Sequence, residues 1–180
     1  MRIIVAAVLT TASLMAQIAG GIDPYVDSAG FHWFELGETK PEVVRRLGVP
    51  KLTAPFGADF EAWQFQIGET EEGEFSHHAV FRTPDNRLVS IARDYTEPTV
   101  VDAYFPVAET RTYTGPSAWN IRVRILGGGR YLLAMGVSGP GDKTTQIVLL
   151  DDFALRAFYP WLHLKLTTAR KWLSSANLEA

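Results

Sequence analysis

The sequence predicts an α+β fold, an antiparallel β-sheet of meanders with short helices packed on one face. Three observations carry that expectation. Runs of alternating apolar and polar residues recur, separated by Gly, Pro, Asp and Asn clusters that turn the chain. A short helix with start and stop signals precedes the first run. A stretch with apolar residues at helical spacing follows the last.

Met1-Arg2 leads into an apolar run, Ile3–Leu9, and then a small-residue stretch ending Ala19-Gly20-Gly21. One positive charge, a short apolar segment and small residues at a cleavage point are the pattern of a secretory signal, expected over 1–21. The apolar run is too short to span a bilayer, which takes about 20 residues. Residues 22–30 read as a loose arm, and Phe31-His32-Trp33-Phe34 as an aromatic cluster that must bury against something. Thr39 with Glu42 forms a capping box, Pro41 sits in the first turn, and Val43, Val44 and Leu47 share a face. Arg45 and Arg46 suit the helix C-terminus, Gly48 the left-handed cap, and Pro50 stops continuation.

Trp63, Phe65 and Ile67 alternate with Gln64 and Gln66, a half-buried strand. An acidic hairpin tip, Gly68–Glu74, leads to a strand from Phe75 to Arg82. The turn Thr83-Pro84-Asp85-Asn86 leads to another, Arg87 to Tyr95. Residues 96–107, with Pro98 and Pro106, read as a connector. Trp119, Ile121, Val123 and Ile125 alternate in the next strand. Gly127-Gly128-Gly129 and Gly139-Pro140-Gly141-Asp142 then turn the chain into Arg130–Ser138 and Lys143–Leu150. From Asp152 the tail reads as helical, restarted at Pro160, although Leu162-His163-Leu164-Lys165-Leu166 also alternates as a strand would. Residues 22–180 are expected to form one domain, with sub-halves 22–95 and 108–180 as the alternative division.

The 180 residues are 47% apolar and 21% charged, as in an ordinary folded protein. The net charge is −3, and −4 without residues 1–21. That balance argues against a nucleic-acid binder, which needs a basic face. The absence of Cys removes disulfides, Cys-ligated zinc and thiol catalysis. Adjacent strand residues point to opposite faces, so His77 and His78 cannot chelate one ion. Gly136–Thr144 is a near miss to a phosphate loop, interrupted by Asp142 and followed by a strand. Ser76 beside His77 lacks the strand–turn–helix setting of a nucleophile. Asp151-Asp152 reads as a helix cap. No cofactor or metal site is expected, and no enzyme.

The run Leu36-Gly37-Glu38-Thr39, Glu42-Val43 and Leu47-Gly48-Val49-Pro50, followed by Trp63-Gln64-Phe65 and Phe81–Val89, resembles the opening of BamE-like (SmpA/OmlA) envelope proteins. It is also similar to the β-lactamase-inhibitor-type proteins with tandem copies. The resemblance covers about residues 34–95 and implies a binding or assembly module rather than an enzyme. BamE itself is a lipoprotein, and this chain has no Cys to lipidate. The expectation is therefore an exported protein, periplasmic or secreted and without a transmembrane span, that binds another envelope or extracellular protein. A periplasmic small-ligand or carbohydrate-binding protein is the alternative. The residues expected to meet a partner are Arg122 and Arg124 on a wet sheet face, Glu71 and Glu72 in the acidic tip, and Gln64 and Gln66 on the polar side of their strand.

Overall fold

Thr39 and Glu42 close the first turn of helix α1 (Lys40–Leu47) as expected. The Thr39 N–H donates to the Glu42 carboxylate at 2.7 Å and the Thr39 hydroxyl at 2.8 Å. Gly48, at φ 81°, ends the helix by donating its N–H to Val44 O. The computed structural model of the protein describes residues 35–70 and 73–176. The expected signal, the arm, the 31–34 aromatic cluster, and Glu71 and Glu72 lie outside the described residues.

Eight strands follow: β1 (Leu52–Pro55), β2 (Phe60–Thr70), β3 (Gly73–Arg82), β4 (Arg87–Val100), β5 (Thr110–Thr114), β6 (Asn120–Gly127), β7 (Arg130–Met135) and β8 (Lys143–Asp151). They form one antiparallel sheet in the order β1-β2-β3-β4-β8-β7-β6-β5. Each half of the chain thus lays down four consecutive strands, and the two sets meet through their last members, β4 and β8. The seam runs from Ser90↔Leu150 to Asp94↔Gln146 and resumes at Thr99↔Thr144. Between β3 and β4, Val80 faces Ser90 and Phe81 faces Leu88, so Val89 is the extra residue of a bulge.

Both faces of the sheet carry a core. On one face Val43 of α1 packs with Trp63, Phe65, Phe75, Phe81, Ile91, Leu132 and Leu149. The cover is completed by Val101, Tyr104 and Phe105 of the connector, which folds into two 3-10 turns, Asp102–Tyr104 and Val107–Glu109. On the other face Ile121, Val123, Tyr131, Leu133, Val148 and Leu150 pack under helices α2 (Asp152–Phe158) and α3 (Pro160–Ala176). Residues 131–135 and 147–150 are uninterrupted buried runs, as strands covered on both faces require. Asp151 caps α2 by accepting the Ala154 N–H at 2.7 Å, and Pro160 opens α3 where its missing N–H costs nothing. Leu162 and Leu166 are buried one turn apart, so the tail takes the helical reading over the strand reading.

The helical tail follows from its neighbours: strands that are apolar on both sides need a second cover, and the chain has residues left to supply it. Trp63 shows the same logic in one residue. It is 9% exposed, stacks on Phe81 at 4.7 Å between centroids, and lies under the Lys40 ammonium at 5.4 Å. Trp63→Ala should cost about 3–5 kcal/mol of stability, read as a lower urea midpoint with an unchanged slope.

Candidate functional site

Strand register decides which chemistry faces solvent. Arg122 and Arg124 point to the face that the connector covers, not to a wet one. Arg122 is 3% exposed. It donates to Asp102 Oδ1 and to Phe105 O, each at 2.6 Å, and lies over the Phe105 ring. Arg124 donates to Glu109 at 2.8 Å and to Tyr104 O at 3.2 Å. The expected basic patch is therefore corrected for Arg122, whose groups clamp the connector to β6. Asp102 is held as the carboxylate, its pKa lowered by the Gly141 N–H first and by Arg122 second.

Gln64 lies on the opposite face, half-buried and across from His78 in the neighbouring strand. The backbone register sets Gln66 across from Ser76, and Ser76 across from Asp94. His78 Nδ1 lies 3.0 Å from Asp94 Oδ2, and Asp94 Oδ1 accepts from Gln146 Nε2 at 2.6 Å. Tyr159, between α2 and α3, borders this group. Burial and then the Asp94 charge push its phenol up to about 12. Gln64, Ser76, His78, Asp94 and Gln146 thus form a polar tract across β2, β3, β4 and β8, each residue half-buried. Along the same face, Ala62 and Val80 lead to an aromatic group. Phe158 packs edge-on to Phe56 and Phe60, and Phe153 stacks between Phe60 and Arg82. Phe56 and Phe153 remain 46% and 43% exposed. Of the residues expected from the sequence to meet a partner, Gln64 lies in this tract. His78 and Asp94 meet across the β3–β4 hairpin, and Gln146 joins them only through the β4–β8 pairing, which no local signal foretells.

His78 Nε2 has no hydrogen-bond partner, so Ser76 is not linked to the imidazole as a nucleophile must be to its base. Among the described residues no group of three or more His, Asp or Glu side chains is placed to hold a metal. The Gly136–Thr144 segment is a hairpin turn. Asp142 accepts the N–H groups of Ser138 and Gly139 at 2.8 and 2.9 Å, filling with its own carboxylate the position an anion would need.

His77 and His78 take opposite faces, as the strand period demands. His77 is fully buried and accepts at Nε2 from Arg93 Nε at 3.0 Å. Burial, and then the neighbouring His78, drive its pKa from 6.5 to about 3, so the ring is neutral. Arg93, also fully buried, lies over Phe75 at 4.6 Å; burial lowers it to about 10. This pair belongs to the core beneath the tract, not to the surface.

No family model matches the chain, and no curated protein matches it in sequence. Among solved structures it is similar to a cysteine-rich secretory protein from Staphylococcus aureus, at 10% identity and a TM-score of 0.40 over 67% of this chain and 44% of that one. It is also similar to an extracellular protein containing an SCP domain from Bacillus anthracis, at 9% identity and a TM-score of 0.43 over 67% and 45%. The chain spans less than half the length of either, and neither likeness bears on what it does. No helix among the described residues is long and apolar enough to cross a membrane.

The buried imidazole makes stability depend on pH. The unfolded chain binds a proton at His77 below about 6.5, the fold only below about 3, so the stability present above 6.5 is lost as pH falls between them. The slope from this group reaches about 1.4 kcal/mol per pH unit. His77→Gln, whose amide oxygen can accept from Arg93, should flatten it between about pH 7 and pH 5. Denaturant midpoints across that window check this, and identical slopes in both proteins would mean the ring is protonated in the fold. Arg122→Ala should cost about 1–3 kcal/mol, because it leaves the buried Phe105 O without its donor. A mere loss of binding with unchanged stability would restore the surface-patch reading.

Proposed function

We propose that this chain is an exported, non-enzymatic binding module that holds another envelope or extracellular protein against the open half of its sheet. The single observation that carries this reading is the composition of that half-face. It joins an exposed aromatic end, Phe56 and Phe153, to a polar end of Gln64, Ser76, His78, Asp94 and Gln146. Protein interfaces are built in this way, with aromatic anchors that supply most of the energy and polar groups that set the register. The face is broad, and its polar groups lie side by side along strands. A small-ligand site would instead draw them together at the bottom of a pocket. Export rests on the 1–21 sequence pattern, and the non-enzymatic reading on the resemblance of residues 34–95 to binding and assembly modules.

Arg122 and Arg124 enter this reading only indirectly, since they brace the sheet from the other side. Gln64 keeps its expected role, and the acidic-tip residues Glu71 and Glu72 stay candidates for steering an approaching basic partner.

Tagged protein with Phe153→Ala and His78→Ala should keep its far-UV circular dichroism and lose at least about tenfold in capture of a stoichiometric envelope protein, as the loss of an anchor would dictate. Capture is read by quantitative mass spectrometry against the unsubstituted chain. Equal capture by both would move the binding surface elsewhere, and a blank with the unsubstituted chain followed by a ligand-screen hit would favour the small-molecule reading.

A further inference from the structure

The two edges of the sheet are not alike. Phe56 donates its N–H to Phe60 O, which sets the phase of the β1–β2 ladder. Thr53 and Pro55 are then the β1 residues whose backbone groups turn outward. Pro55 has no N–H, so β1 keeps a single outward donor, the Thr53 N–H, and is a blunted edge for a second strand.

The β5 edge is different. Gly115 donates to Trp119 O, and on the far side of β6 Gly136 donates to Asn120 O. Both bonds give the same phase. Arg111 and Tyr113 exchange hydrogen bonds with β6, while Thr110, Thr112 and Thr114 turn their N–H and C=O groups outward. Lys165 Nζ covers one of these groups, Thr114 O, at 3.1 Å. No proline blunts the strand.

Thr110-Arg111-Thr112-Tyr113-Thr114 reads nearly the same in both directions. Laid antiparallel against a second copy and centred on Thr112, it sets Thr112 opposite Thr112, and Thr110 opposite Thr114. Every one of these is an outward-turned residue, so the register is one the ladder allows. On the face away from the connector, Arg111 of each copy meets Tyr113 of the other, a cation–π pair made twice. The single chain leaves Val107 73% and Trp119 57% exposed at the two ends of the strand. The twofold sets the Val107 end of one copy against the Trp119 end of the other.

We propose that two copies of this chain pair edge to edge through β5, about a twofold axis at Thr112. A self-complementary strand is what a twofold interface requires, and an extended peptide of unrelated sequence would not match it at every position. Because β1 is blunted, the assembly closes at two copies and does not grow into a fibre.

The chain has no Cys, so a single introduced one reports the register. Residues exchanging both hydrogen bonds in an antiparallel pair lie about 5.5 Å apart at Cα, within the reach of a disulfide. Under mild oxidation the full chain carrying Thr112→Cys should form a covalent dimer, while Arg111→Cys, which faces position 113 of the other copy, should lag at least tenfold in rate. Sedimentation equilibrium of the unsubstituted chain should give twice the 20.0 kDa monomer mass at high concentration. Thr112→Pro removes an outward N–H and no bond to β6, and should give monomer with unchanged circular dichroism. A monomer at every concentration overturns the proposal. So does a dimer that survives Thr112→Pro, or one in which the two Cys variants cross-link alike. These readouts do not touch the half-face of β2, β3, β4 and β8, so either proposal can fail while the other stands.

Discussion

Everything in this protein hangs on the pairing of β4 with β8. Each four-stranded set alone would expose the bare edge of its last strand, and the long apolar run of β8 would have a neighbour on one side only. Joined, Ile91, Leu132, Ile147 and Leu149 contribute to one continuous core, and Val89, Leu133, Val148 and Leu150 to the other. The seam also completes the polar tract, since Asp94 comes from one half of the chain and its partner Gln146 from the other. Fold and candidate site thus share one cause. Antiparallel pairing of this kind is stabilised less by its ladder bonds than by the two faces it brings together.

The connector shows how charge is used inside the fold. Arg122 is among the most buried polar residues, yet it donates to two oxygens, one of the Asp102 carboxylate and the Phe105 carbonyl. Its guanidinium closes the gap between the end of one set of strands and the start of the next. Leaving the buried guanidinium without its oxygens would be far more costly than never burying it. Arg93 and His77 make the matching polar contact under β3 and β4, where a neutral imidazole accepts what a charged one could not.

Local chemistry was legible in the sequence and long-range pairing was not. The Thr39–Glu42 capping box, the Gly48 stop, the Asp151 cap and the restart at Pro160 depend on residues within a turn of one another, and each stands where the sequence places it. The strands β2, β3, β4, β6, β7 and β8 were readable from alternation or from continuous apolar runs. Two strands were not. Leu52–Pro55 and Thr110–Thr114 are short and largely exposed, and owe their conformation to the strand beside them. The burial of Arg122 was invisible for a related reason: what covers it is a connector whose path is set by the whole sheet. His77 and His78 could be assigned to opposite faces from the strand period, but that Gln146 would join His78 and Asp94 depends on the seam.

That seam also has a consequence in time. A chain emerging from its N-terminus completes β4 with residue 100, but the strand that covers it begins only at residue 143. For that interval the first four strands carry an open apolar edge that no local segment can satisfy. Contacts so far apart in sequence slow folding, because the loop between them must close before either strand gains from the other. A nascent chain of this design stays unfinished until nearly its last strand has been made.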